Sequence, residues 1–175
     1  YTEAARLAEG TDNAGVTLEA LLNAAWLHLD RGEHAAAGEV LQRAQRAAQA
    51  PDTPYRRVQA ATRTAQLLLV LARRQPTARP QAVKTAHALL QTASNLAREM
   101  GVPRVSSSVN GTLGTAYLLA GRLDDALLLT REAILAAQRA GADQLLVRWH
   151  WQAGRILRAQ QQSAKAISSY RHAYA

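Results

Sequence analysis

LGTAYLLAGRLDDALLLTREA, residues 113–133, decides the fold. Apolar or small residues recur every three or four positions on both sides of Gly121. The stretch therefore reads as two helices with a turn at that glycine. Gly114, Ala126 and Ala133 fall where the two helices would touch, and the ring of Tyr117 lies between them. Side chains this small let helix axes approach to the low end of the usual spacing of about 8–10 Å.

The unit recurs. Ala126, Thr130, Ala133 and Gly141 have counterparts forty residues earlier in Ala86, Leu90, Ala93 and Gly101, and forty later in Ala166, Tyr170 and Ala173. A fixed period of this kind marks stacked units that bury their faces against their neighbours. The expected fold is all-α: a single right-handed α-α superhelix of antiparallel helix hairpins with a ~40-residue period. Working outward, residues 1–9 read as the end of a preceding unit, and 10–15 as a loop rich in helix breakers. Units follow at 17–50, 53–101, 103–141 and 143–175. Thr17 and Thr53 are candidate N-caps, with Pro54 opening its helix at the first position. The register breaks once. Ala37 to Ala86 is 49 residues, nine more than the period. The surplus falls near RRQPTARPQ (residues 73–81), which predicts a longer exposed loop or an extended helix end. Thr130 stands where the pattern asks for a large residue, which predicts looser packing there.

Composition agrees with helix throughout. Alanine and leucine dominate, and of 175 residues only eight are aromatic, none of them Phe. The formal charge of +8 is uneven: residues 1–50 carry four Arg and seven acids, whereas residues 51–175 carry seventeen Lys or Arg and six acids. The arginines are scattered at helical spacing rather than run together, so no nucleic-acid partner is expected. Without cysteine the chain holds no disulfide, thiolate metal site or cysteine nucleophile. No apolar run approaches the ~20 residues of a membrane span, and no signal peptide is visible. The expected setting is cytoplasmic, with no membrane partner. The opening Tyr1-Thr2-Glu3 reads as the start of an excised fragment, and its cut ends predict self-association.

No catalytic or metal-binding pattern is complete in the sequence. The five histidines, His28, His34, His87, His150 and His172, include no pair at the i, i+4 spacing of a zinc helix. His28 and His150 are expected on inward helix faces as packing residues. Asp124-Asp125 falls in the first turn of a helix, where it stabilises the helix dipole. Gly111-Thr112-Leu113-Gly114 has only a GxxG spacing and is read as helix contact. No Ser, His and acid converge at one helix end. The chain is thus expected to be non-catalytic, with no cofactor and no metal.

The chain resembles the tetratricopeptide repeat (TPR) superfamily, most clearly in Leu113, Gly114, Tyr117, Ala126 and Ala133, and again in Gly154, Leu157, Ala166, Tyr170 and Ala173. The first two units depart from the pattern, with Ala for Gly and His28 or Leu68 for the ring. Residues 131–175, above all RWHWQAGRILRAQ, are similar to the repeat region preceding the caspase-like CHAT domain of bacterial proteins. That resemblance implies a module binding a protein or peptide, or an adjoining peptidase-like domain of the same chain. The forty-residue period is also similar to the effector-sensing regions of large ATP-dependent bacterial transcription activators, and this alternative stays open.

Helical geometry then selects a candidate groove. At about 100° per residue, Arg148, Trp151, Arg155 and Arg158 share an arc of about 80°. His150, Ala153 and Leu157 fall on the packing side. The same alignment puts Glu19, Leu22, Trp26 and Asp30 on the corresponding face of the first full unit, with Gln59, Thr62, Gln66, Ser108 and Thr115 between. The expected peptide-binding set is Trp26, Asp30, Gln66, Thr115, Arg148, Trp151, Arg155 and Arg158. Arg and Trp suit carboxylates and flat groups through bidentate hydrogen bonds and stacking, so the expected ligand is an extended peptide with acidic residues at one end.

Overall fold

The structure, a computed structural model, describes residues 14–51 and 53–174. Among these residues all regular structure is helical and no strand occurs. The helices are α1 (Ala14–Asp30), α2 (His34–Ala47), α3 (Pro54–Arg74), α4 (Arg79–Met100), α5 (Pro103–Leu119), α6 (Leu123–Arg139), α7 (Asp143–Ala159) and α8 (Ser163–Tyr174). None is long and apolar enough to cross a membrane. The expected tail of a preceding unit in residues 1–9 lies outside the described residues, as do residues 10–13 of the loop expected at 10–15; Ala14 and Gly15 are not loop but the first residues of α1.

Local chemistry sets most helix ends. Thr53 caps α3, its hydroxyl oxygen accepting from the Arg56 N–H at 3.4 Å, and Pro54 takes the first position. Thr17 does not cap: α1 begins three residues earlier, at Ala14, so Thr17 lies within the helix. The nine surplus residues of the second unit form no exposed loop. Only residues 75–78 separate α3 from α4, and the extra length is helix, 21 and 22 residues against 17 each for α5 and α6. Pro80 is tolerated because it is the second residue of α4, where its missing N–H has no intrahelical partner to lose. Two arginines tie this region down: the Arg79 Nε donates to the Ala72 carbonyl at 3.1 Å, and the Arg74 guanidinium donates to the Leu29 carbonyl at the end of α1.

The chain divides into two compact units, residues 1–96 and 97–175, with the boundary inside α4. In the first, α1 packs on α2 and α3, and α2 on α3. Leu21, Leu29, Leu41 and Leu69 are fully buried there. In the second, α5 packs on α6 and α7, α6 on α7, and α7 on α8. Ala126, Ala153, Ile156, Leu157 and Ala166 form one core cluster, and Ala133, Ala137, Ala142 and Trp149 another. The period-marking alanines Ala86, Ala126 and Ala166 are all buried.

The inter-helix turns of the second unit close on a left-handed residue. Gly121 and Gly141 have φ of 77° and 57°; one period after Gly121 stands Gln161, with φ of 61°. A side chain in this region costs about 1–2 kcal/mol, partly offset by the entropy a glycine loses on folding. Gln161→Gly is therefore expected to stabilise the protein by about 0.5–1 kcal/mol, read as a higher denaturation midpoint at unchanged m-value. A lower midpoint would contradict this account of the turn.

Candidate functional site

The site is built on α7, whose sequence divides by face. Trp149, Gln152, Ala153, Ile156 and Leu157 are buried. Trp149 lies flat over Gly111 of α5, and a Cβ at residue 111 would fall 2.3 Å from its Cε2. Its indole N–H donates to the Ser107 hydroxyl at 3.0 Å, which donates to the Ala133 carbonyl at 2.8 Å. Three helices are thus joined through one ring.

A second polar node lies one turn further along. The Gln152 amide nitrogen donates to the Gly111 carbonyl and to the Thr130 hydroxyl, both at 2.9 Å, and its oxygen accepts from the Thr115 hydroxyl at 2.6 Å. Gly114 makes room for this node, since a Cβ there would lie 2.7 Å from the Thr130 hydroxyl oxygen. Packing at Thr130 is therefore not loose. The residue is fully buried, and Gln152 from the next helix fills the space that a larger side chain would have taken. The same node removes Thr115 from the expected groove: it is buried, with its hydroxyl committed to Gln152.

The outward face of α7 carries Arg148, Trp151, Arg155 and Arg158 of the expected set. Arg148 and Arg158 are exposed and Arg155 is partly exposed. The Arg148 guanidinium lies 4.7 Å from the centroid of the Trp149 ring. Trp151 is 47% exposed, and its ring meets two tyrosines of α8, Tyr170 at 4.9 Å and Tyr174 at 6.2 Å between centroids. Gly154 permits this arrangement, because a Cβ there would fall 2.4 Å from the Tyr170 Cε1. Sequence reasoning did not join Tyr174 to Trp151; four-residue spacing from Tyr170 along α8 was the available signal.

Trp26, Asp30 and Gln66 belong to the other unit. Trp26 and Asp30 are exposed on α1, and Gln66 is partly buried on α3. Leu22 and Thr62, expected on the same face, are buried. Leu22 joins the core, and the Thr62 hydroxyl donates to the Val58 carbonyl at 2.6 Å. Glu19 is exposed and paired with Arg63 of α3. A stripe placed by angle alone misassigns such residues, because a helix with neighbours on two sides buries more than half of its circumference.

The two inward-facing histidines differ. His28 is held by Glu33 across the α1–α2 turn at 2.5 Å. His150 is half-buried and stacks on His172 of α8, with ring centroids 5.3 Å apart and planes 23° from parallel. Burial, and then the neighbouring His172, hold the His150 pKa below the ordinary histidine value. The His172 Nδ1 donates to the Ser168 carbonyl at 2.8 Å. Among the described residues no group of three or more His, Asp or Glu could hold a metal ion.

No family model matches the chain, and no curated protein matches it either. The outward face of α7 thus presents Trp151 packed tilted against Tyr170 and edge-on to Tyr174, with three guanidinium groups on the same helix.

Proposed function

We propose that the chain is a non-catalytic protein- or peptide-binding scaffold. In this reading its hairpins stack as a right-handed TPR-type superhelix within a larger bacterial protein of the CHAT type. The forty-residue recurrence of buried alanines and the helix packing within each unit support the repeat architecture. The observation that carries the binding role is the half-exposed Trp151 ring, packed on Tyr170 and Tyr174 and sharing its helix face with Arg148, Arg155 and Arg158. Trp, Tyr and Arg are the residue types that dominate binding hot spots, because they supply large contact area with few rotors and directional donors. The partner this favours is a segment bearing carboxylates next to an aromatic or apolar side chain.

The test is a peptide array probed with the wild type and with the Arg148→Glu, Arg155→Glu double variant. The wild type is expected to retain acidic peptides at low salt, and the variant to lose them by about tenfold or more, as charge reversal turns attraction into repulsion. Equal retention of the same peptides by both proteins would remove this face from the binding surface.

A further inference from the structure

The second unit has another basic cluster, on the side of α7 away from Arg155 and Trp151. A groove of about 470 Å³ runs between α6 and α8 with α7 as its base. Leu127, Ile134 and Leu157 make it apolar below. Its other walls bring together Arg131 from α6, His150 from α7, and Lys165 and His172 from α8, with the Ser168 and Ser169 hydroxyls beside them. Among the described residues no carboxylate lines it. Three helices thus contribute four basic groups to one half-apolar cleft whose size falls within the range of about 300–1,000 Å³ typical of small-ligand sites.

This set is not a by-product of the repeat. The groove between α2 and α4 in the first unit, over α3, is of similar size, about 530 Å³. It is lined by neutral side chains and a single cation, Arg57, whose Nε is taken by the Pro51 carbonyl at 2.7 Å. Within the second unit the contrast is sharper. One period before His150 and His172 stand Asn110 and Glu132, joined by a hydrogen bond of 3.2 Å. There an amide and its acid partner satisfy each other. Here both are replaced by imidazoles, stacked on each other with no carboxylate in the groove lining.

We propose that this groove binds a small phosphate monoester carrying a short apolar group. The phosphate faces Arg131, Lys165 and the two histidines, and the apolar group lies on Leu127, Ile134 and Leu157. A phosphate monoester suits four donors better than a carboxylate because it offers three acceptor oxygens and a charge of about −1.5 to −2 near neutrality. Binding and imidazole protonation are linked: an anion in the groove favours imidazolium, so it raises the titration midpoint of His150 from its lowered position, and protonation in turn tightens binding.

The probe is hexyl phosphate, titrated into the full chain and followed by the imidazole NMR resonances of His150 and His172. Hexyl phosphate is expected to saturate and to raise the His150 midpoint. It should bind about tenfold more tightly than inorganic phosphate, through the apolar floor, and more tightly than hexanoate. Arg131→Ala with Lys165→Ala is expected to weaken it about tenfold or more, whereas the charge-matched control Lys84→Ala with Arg98→Ala leaves it unchanged. Equal weakening by both pairs, or shifts that never saturate, would reduce the effect to general surface charge and overturn the site. Hexanoate binding as tightly as hexyl phosphate would overturn the phosphate assignment. Tighter binding of a short phosphoserine peptide would assign the groove to a protein segment instead. The Arg148 and Arg155 face is untouched by these variants, so failure here and failure of the scaffold reading are distinguishable.

Discussion

Gly111→Ala is expected to destabilise the second unit by about 3 kcal/mol, at the upper end of the usual cost of overpacking a core. The added methyl would meet three atoms of the Trp149 ring at 2.3–2.5 Å. The ring cannot step aside cheaply. It is fully buried, and its N–H is tied through Ser107 to the Ala133 carbonyl. For a unit of this size the melting temperature should fall by about 12–24 °C. Two controls separate the clash from a general effect of the substitution. Gly38→Ala, also in a helix, would place its methyl at an ordinary 3.8 Å from the Leu71 Cδ2, so helix propensity should make it neutral or stabilising by up to about 1 kcal/mol. Gly111→Ala combined with Trp149→Leu should lose clearly less than the sum of the two single losses, since the smaller side chain leaves room for the methyl. Chemical denaturation placing Gly111→Ala within about 0.5 kcal/mol of the wild type, the scatter of a neutral surface change, would refute the contact.

Gln152→Glu, nearly isosteric, is expected to cost about 3 kcal/mol at neutral pH, more than most single substitutions. The amide nitrogen that feeds the Gly111 carbonyl and the Thr130 oxygen becomes a carboxylate oxygen facing two acceptors. The Thr130 proton cannot help, because it is already donated to the Ala126 carbonyl at 2.7 Å. A buried charge without a partner adds its desolvation cost. Burial raises the folded-state pKa of such a carboxyl above its unfolded value. The deficit relative to the wild type is then largest at neutral pH and shrinks as pH falls toward the unfolded glutamate value near about 4.3. Gln152→Met should cost only about 1 kcal/mol. Thr115 and Thr130 each keep a carbonyl of their own helix, Gly111 and Ala126 respectively. Equal losses for Glu and Met, or a Glu deficit independent of pH, would mean that Gln152 acts by volume alone.

The helical class, the period and most helix ends were legible in the sequence because they depend on local properties. Ala126 and its equivalents need only be small, Pro54 and Thr53 start a helix by their own backbone chemistry, and Gly121 turns the chain by its own φ. The outward position of Arg148 and Arg158 followed from helical angle. What one helix's angle could not supply was how far the neighbouring helices reach around it. That reach buried Leu22, Thr62 and Thr115, which one-helix geometry had placed on the surface. It also turned Gln152, a residue with no outward sign of a core role, into the hub of a polar node. The partner of Thr130 is 22 residues away in sequence and that of Ser107, through Trp149, is 42. No propensity or period couples residues across such separations. The exchange of Asn110 and Glu132 for His150 and His172 was visible as letters one period apart. Only the packing of α6, α7 and α8 brought Arg131 and Lys165 to the groove that His150 and His172 also line.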